Sequence, residues 1–477
     1  MFNKKLLLLS ASAIILSLLF SCAKEAEDTS ASPSVTTTAS ETTVDRSGED
    51  DLGDYDFNGH AFRILNRTND QWANSRLDFT ELTGDLYQDE VYLRNRKIEE
   101  RFNFTIEMIT YTDHAQPRPF LLAGTNDYDI FTGRNAEMFN FAQEGLLSSV
   151  SDMTYIDLSK SYWNAFLNDQ LTVANKSYFA VSAFNFSNMD MSYVLTFNKK
   201  LIRDYGLESP FDLVKSGKWT YDKFAELAKA GTIDLDGNGT MTATDAWGYV
   251  ARQNDVLPAF WISAGIKLIE KDKDDIPQSN LKSEKFITAF QKIFDITHGI
   301  EIFYQSDKTD MFINGDILFN DITPFTLIQL RNMEIDFGII PYPKYDEEQE
   351  KYYTRIGGCE LFGAPKSASQ ESLDRTSVIL EAMSCESLKT VVPVYYELMV
   401  KTKLTRDTES AEIIDLIFEN RVFDFADNLW VGELRDGPLN SMFAAKNSNI
   451  VSMTESMENI INTKRDKMVE AFEALDK

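Results

Sequence analysis

DEVYLRNRKIEERFNFTIEMI, residues 89–109, sets a helical pattern directly against a strand-like one. In its first part Val91, Ile98 and Phe102 recur at helical spacing, and Phe104 to Ile109 then reads as a strand. On the N-terminal side AFRIL (61–65) alternates as another strand. On the C-terminal side YDIFT (128–132) is a short apolar run that stops at Gly133-Arg134, where a strand is expected to meet a loop. Strand, helix, strand, helix, strand at this spacing predicts βαβ units and a mostly parallel sheet.

The alternation continues through the middle of the chain. SYVLTFN (192–198) is a strand candidate, and Thr220 is placed to cap the helix of YDKFAELAKAG before Gly231. Between Lys282 and His298, Phe286, Ile287, Phe290, Ile293 and Phe294 have the spacing of a half-buried helix, with Gly299 as its stop. IDFGIIP (335–341) and Glu360 to Ala364 are strand-like. Beyond Gln370 everything reads as helix, over 372–384, 408–421 and from Met453 onward. The expected class is α/β, with two lobes and a helical C-terminal region.

At the N-terminus, Lys4 and Lys5 precede an apolar run from Leu6 to Phe20, then Ser21 and Cys22. A positive n-region, an h-region and a small residue before a cut describe a secretory signal. The run is short for a span of about 20 residues. LFSC (19–22) resembles the lipobox of bacterial lipoproteins, which implies a signal peptide over 1–21 and lipid on Cys22. Residues 22–55 are rich in Ser, Thr and Glu with almost nothing apolar, and are expected to form a disordered tether. Nothing later is long and apolar enough to span a bilayer, so the body is expected to be soluble and to meet a membrane through the anchor alone.

The formal net charge is −28, from 75 acidic and 47 basic residues. Such a surface repels nucleic acid and anionic headgroups and excludes both as partners of the body. The aromatic share, with 33 Phe and 19 Tyr, leaves rings for a ligand as well as a core. With only Cys22, Cys359 and Cys385, a disulfide scaffold is excluded. A Cys359–Cys385 bridge and two buried free thiols both remain open. His60, His114 and His298 lie far apart and give little to a zinc or Ser-His-Asp centre.

Seven runs, in order, carry a family likeness: VYLRNRKIEERFN (91–103), YDIFTGR (128–134), LTFNKKLIRDYGL (195–207), SGKWTYDKFAELAK (216–229), FINGDILF (312–319), DFGIIPYPKYDE (336–347) and YYELMVKTKLTRDTES (395–410). Their order and spacing resemble the extracellular solute-binding proteins of family 1, lipoprotein receptors that feed sugars and oligosaccharides to ABC importers in Gram-positive bacteria. The resemblance implies a two-lobed periplasmic-binding-protein-like (type II) fold with hinge strands. Lobe 1 would hold 56–190 plus 336–386, and lobe 2 191–335 plus 387–477. It implies a non-catalytic monomer on the extracellular face of the membrane, binding a carbohydrate in the interlobe cleft and docking on ABC permease subunits. A binder of peptides or other polar solutes and a surface-attached carbohydrate-active enzyme are the alternatives. A glycosidase needs two carboxylates about 5–9 Å apart across the scissile bond, and no motif here singles out a pair.

Sugars take flat rings against their C–H faces and planar polar groups on their hydroxyls. Loops after the strands offer Asn66, Arg67 and Trp72, then Arg134, then Asp190, then Asn320. Gln253, Asp255 and Trp261 fall where the second lobe's loop would face the cleft, and Trp430 lies where the family often supplies a stacking ring. An acidic residue after a strand is also a common helix N-cap, which is the competing reading for Asp190.

DLDGNGTMTATD (234–245) is the sharpest local motif. Asp234, Asp236, Asn238, Thr242 and Asp245 take the side-chain positions of a calcium loop, with Gly239 at the tight turn and the Thr240 carbonyl next. Asp245 stands where a bidentate Glu is usual. The competing reading is a polar surface turn. A bound calcium here would be a structural clip, since the flanks do not read as an EF-hand helix pair.

Overall fold

The computed structural model describes residues 48–68, 76–185, 187–306, 310–330, 334–397 and 408–475. The signal segment, Cys22, most of the tether and Trp72 lie outside the described residues.

Residues 89–109 fold as their pattern predicts. Val91, Ile98 and Phe102 lie on the buried face of the helix Leu86–Phe102, whose start is capped by the Asp85 side chain accepting the Tyr87 and Gln88 N–H groups. Asn103, in the left-handed conformation at φ 50°, ends the helix and turns the chain into the next strand. The strands, in order, are β1 (His60–Arg67), β2 (Phe104–Tyr111), β3 (Ile130–Arg134), β4 (Val194–Asn198) and β5 (Trp247–Ala251). Next come β6 (Ile269–Lys271), β7 (Pro277–Ser279), β8 (Phe303–Gln305) and β9 (Ile317–Ile322). The last are β10 (Phe337–Ile340), β11 (Thr354–Arg355), β12 (Glu360–Gly363) and β13 (Arg421–Val422).

Two sheets organise the chain. The first has the order β12-β3-β1-β2, with β1 parallel to β2 and β3 and with β12 antiparallel to β3. The second has the order β10-β4-β9-β5-β8; β5 runs parallel to β8 and β9, and β4 antiparallel to β9 and β10. One core packs Phe62, Ile64, Phe104 and Ile130 against Ile98 and against Leu380 and Met383 of the helix Gln370–Lys389. A larger core runs from the other face of the first sheet through the second. The long helix Ile450–Ala474 reaches both halves, with Phe472 against Phe139 and Lys282 paired to Glu458.

Two short segments, Met191–Tyr193 and Thr354–Gly357, carry the chain between the two halves, and Asn420–Val422 pairs beside them. Tyr193 N–H donates to the Arg355 carbonyl (2.9 Å), Gly357 N–H to Met191 (3.0 Å) and Ile356 N–H to Val422 (3.0 Å). A side-chain carbon at Gly357 would stand 2.3 Å from the Tyr193 ring, so only glycine lets the ladder close there.

Several expectations need correction. Gly133 and Arg134 belong to β3, paired with Leu361 and Glu360 of β12, and the chain passes from them straight into the helix Asn135–Gln143. Phe337–Ile340, assigned above to lobe 1, is buried throughout and pairs with β4 of the second sheet, so the crossing follows Ile340. The C-terminal region is not helix alone, because β13 pairs with β11. Cys359 and Cys385 are both free and buried in different cores. Among the described residues no helix is long and apolar enough to cross a membrane.

Candidate ligand-binding cleft

A cavity of about 320 Å³ opens against this hinge. Arg134, Asn135 and Glu137 line it from the end of β3 and the helix that follows, and Arg252 and Asp255 from the end of β5. Tyr193, Arg355 and Gly357 form the hinge wall, and Asp427, Asn428, Arg435 and Asp436 follow β13. The carboxyl ends of strands in an open α/β sheet are where such folds bind ligands, because the loops there diverge and leave a crevice.

Arg355 is the centre of the wall. Its Nε and Nη2 donate to the two oxygens of Asp427 (2.8 and 3.0 Å), and its Nη1 donates to Asp255 Oδ1 (2.8 Å). The guanidinium also lies 4.1 Å over the Tyr193 ring. Arg435 Nη1 adds a third donor to the Asp427 carboxylate at 2.9 Å. Burial works against the Asp427 charge, but the two guanidiniums outweigh it and hold that carboxyl below its usual range. Asn135 Nδ2 donates to Asn428 Oδ1 (3.0 Å) and Asn428 Nδ2 donates to the Ile356 carbonyl (3.0 Å), which ties the first half to the hinge.

Behind the cleft burial raises the pKa of two carboxyls. Asp321, hydrogen-bonded by Tyr342 at 2.6 Å, is pushed up to about 8 by burial and by the neighbouring Asp255 charge. Glu360 is pushed up to about 7 by burial, against the pull of Arg67, whose Nη1 donates to it at 2.7 Å.

Of the sequence candidates, Arg134 and Asp255 line the cleft. Arg67 sits just behind, buried on Glu360. Asn66 is consumed inside the sheet, where its side-chain oxygen accepts the Thr132 hydroxyl at 2.8 Å. Asp190 does not face the cavity. Arg76 Nη2 and the Tyr395 hydroxyl hold its two oxygens at 2.8 and 2.5 Å, leaving it 1% exposed. Gln253 binds Asn440 and lines a neighbouring depression of about 430 Å³. Asn320 lies within β9, buried, and not after it. Trp261 is a core residue whose indole N–H donates to buried Asp424 at 2.9 Å, and Trp430 is buried edge-on against Phe425. Neither ring is available for stacking. Tyr193, Arg252, Arg355, Asp427 and Arg435 were missed, since no local pattern distinguishes them from surface charge.

The loop 234–245 lies between the helix Tyr221–Ala230 and β5. Its Asp234, Asp236 and Asp245 bring one carboxylate oxygen each within 4.8 Å of one another. Backbone N–H groups of Gly239 and Gly237 hold Asp234, and those of Thr242 and Leu235 hold Asp245, below the ordinary carboxyl value. Asn238 Oδ1 accepts the Thr240 N–H at 2.7 Å.

The chain belongs to the bacterial extracellular solute-binding protein family, whose model matches residues 107–345, half of its length. Solved structures share the fold. The ABC substrate-binding protein Lmo0181 from Listeria monocytogenes, in complex with cycloalternan, is 12% identical at a TM-score of 0.56, covering 85% of this chain and 99% of its own. A cyclo/maltodextrin-binding protein complexed with maltotetraose is 14% identical at 0.56, covering 89% and 98%. UgpB from Mycobacterium tuberculosis, in complex with glycerophosphocholine, is 15% identical at 0.57, covering 82% and 99%. A comparison with curated protein sequences returns no match.

Proposed function

We propose that this chain is the solute receptor of an ABC importer: it takes a sugar or oligosaccharide between its two sheets and delivers it to permease subunits. The observation that carries this reading is the cavity lined from both halves of the chain and walled by the two hinge crossings, through Met191, Tyr193, Arg355 and Gly357. A ligand bridging such a cleft shifts the hinge toward its closed state. Membership of a solute-binding family and the saccharides held by Lmo0181 and the maltodextrin-binding protein support it. The protein works without catalysis, as a monomer, on the outer face of the membrane and tethered by lipid on Cys22. The 234–245 loop takes calcium as a structural clip, a role consistent with its three converging carboxylates.

The test is a thermal-shift panel of sugars, oligosaccharides and short peptides, followed by solution scattering. A saccharide should raise the melting temperature, reduce the radius of gyration and be recovered intact. Stabilisation by peptides alone, or cleavage of the sugar, would overturn the reading.

A further inference from the structure

Most charges lining the cleft are already answered. Asp427 and Asp255 hold Arg355, Asp436 holds Arg435, and Glu137 Oε1 lies 2.6 Å from His114 Nδ1. Arg134 differs. It is half-buried in the cavity wall, and among the described residues its guanidinium has no hydrogen bond and no ion pair. A buried charge without a partner is costly, and this chain has 75 carboxylates from which one could have been placed there. The nearest carboxylates each spend one oxygen elsewhere, Glu360 on Arg67 and Glu137 on His114; their second oxygens have no hydrogen-bond partner, yet among the described residues neither makes an ion pair with Arg134. Burial and then the like charge of Arg67 weaken Arg134's hold on its proton, and the charges of Glu360 and Glu137 offset them only in part.

Two further features favour an anion. The helix Asn135–Gln143 begins at Arg134, and Asn135 and Ala136 of its first turn line the cavity, so the positive end of its dipole faces the same space. Tyr193, the lining's single phenylalanine, tyrosine or tryptophan ring among the described residues, is buried with Arg355 on its face and offers no open platform to a neutral sugar.

Resting on the receptor reading above, we infer that the cleft selects a saccharide bearing an anionic group, a carboxylate or a phosphate, which the Arg134 guanidinium takes in a paired hydrogen bond. A planar guanidinium matches either group. At about 320 Å³ the cavity is at the small end of ligand pockets, about 300–1,000 Å³, and suits one or two sugar rings.

The experiment is calorimetry on the full chain with a broad panel of neutral mono- and disaccharides, each matched to its uronate and its 6-phosphate. The charged member should bind about 10- to 100-fold tighter than its neutral counterpart, the range expected of one charge-assisted hydrogen bond. Whichever charged member wins identifies the source of the anion. Arg134→Gln should abolish the preference and Arg134→Lys should retain part of it, with melting curves confirming that both variants fold. Neutral saccharides binding as tightly as their charged partners, or a preference surviving in Arg134→Gln, would overturn this inference alone. Absence of binding by every saccharide would overturn the receptor reading with it.

Discussion

Arg355 and Asp427 face each other through two parallel hydrogen bonds of 2.8 and 3.0 Å, with both side chains almost wholly buried where the hinge meets the cleft. The pair joins the second crossing to the segment that follows β13. Removing one partner leaves the other charged and desolvated, which costs about 3–5 kcal/mol, whereas replacing both with apolar residues of similar volume is often close to neutral. Arg355→Met or Asp427→Leu alone should therefore sharply reduce the denaturation midpoint. The double substitution should recover only part of the loss, because Asp255 and Arg435 each lose a partner as well. Chemical denaturation of the four proteins decides it, and additive losses would remove the pair from its place in the hinge.

Asp190 should behave as a structural residue. Its oxygens are occupied by Arg76 and by Tyr395, and Tyr87 stacks on the Arg76 guanidinium at 5.0 Å. Asp190→Ala should lower stability by about 1.5–3 kcal/mol, the worth of a hydrogen bond to a charged group. Affinity for a saccharide should change little in the fraction that remains folded. A variant with unchanged melting and lost binding would return Asp190 to the cleft.

The legible parts of this fold were the local ones. Helix and strand from 61 to 132 followed from apolar periodicity, which neighbouring residues set. Of the hinge, the crossing at Met191 was implied by the family resemblance, but the pairing beside it was not legible, because β11 and β13 are two residues each and exist only through pairing with each other. Arg134 and Asp255 were found because strand ends are a usual place for ligand groups. Arg355 and Asp427 lie 72 residues apart, and nothing in either neighbourhood announces the partner. Trp261 misled because a tryptophan looks the same whether its N–H meets a ligand or, as here, the buried Asp424. Asp190, which ends the short helix Ser187–Asp190 ahead of the first crossing, misled likewise, since a carboxylate there fits a hydroxyl as well as an arginine.

Stability should fall as pH rises from about 4 to about 7. Burial, against local hydrogen bonds or Arg67, pushes Glu360 and Glu381 up to about 7 and Asp424 to about 6. Unfolded carboxyls titrate at about 4, so between these values the folded chain holds protons that the unfolded chain has released. Asp427 acts in the opposite sense and in a lower window, because its folded pKa is depressed. Its contribution is present above about 3.9 and disappears as pH drops through the folded value. Denaturation midpoints across pH 4 to 8 should decline, and Glu381→Gln should flatten the decline. A flat profile in the parent protein would contradict burial of these groups.

On the proposed reading, attachment depends on one atom. If Cys22 carries lipid, Cys22→Ser should leave the body unlipidated, and fractionation should find it in the medium. The proposal of a lipid anchor rests on the 6–20 run being short for a span of about 20 residues. Full membrane retention of the variant would instead mean that the N-terminal segment stays in place as a helix.

Calcium should stabilise the protein through residues 234–245. Asp234, Asp236 and Asp245 converge within 4.8 Å, and three like charges so close repel until a cation neutralises them. The backbone N–H groups that hold Asp234 and Asp245 fix their orientation, so little ordering remains to be done when an ion enters. An ion at ~100-fold excess over its Kd adds about 2.7 kcal/mol. A chelator should accordingly lower the melting temperature of the parent protein and leave Asp236→Ala, already lower, unmoved. Asp245 is shorter than the glutamate usual at its place, so the affinity should fall short of that of a full seven-ligand loop. Stripped protein that shows no shift in millimolar calcium would leave 234–245 as a hydrogen-bonded turn that orients the chain into β5.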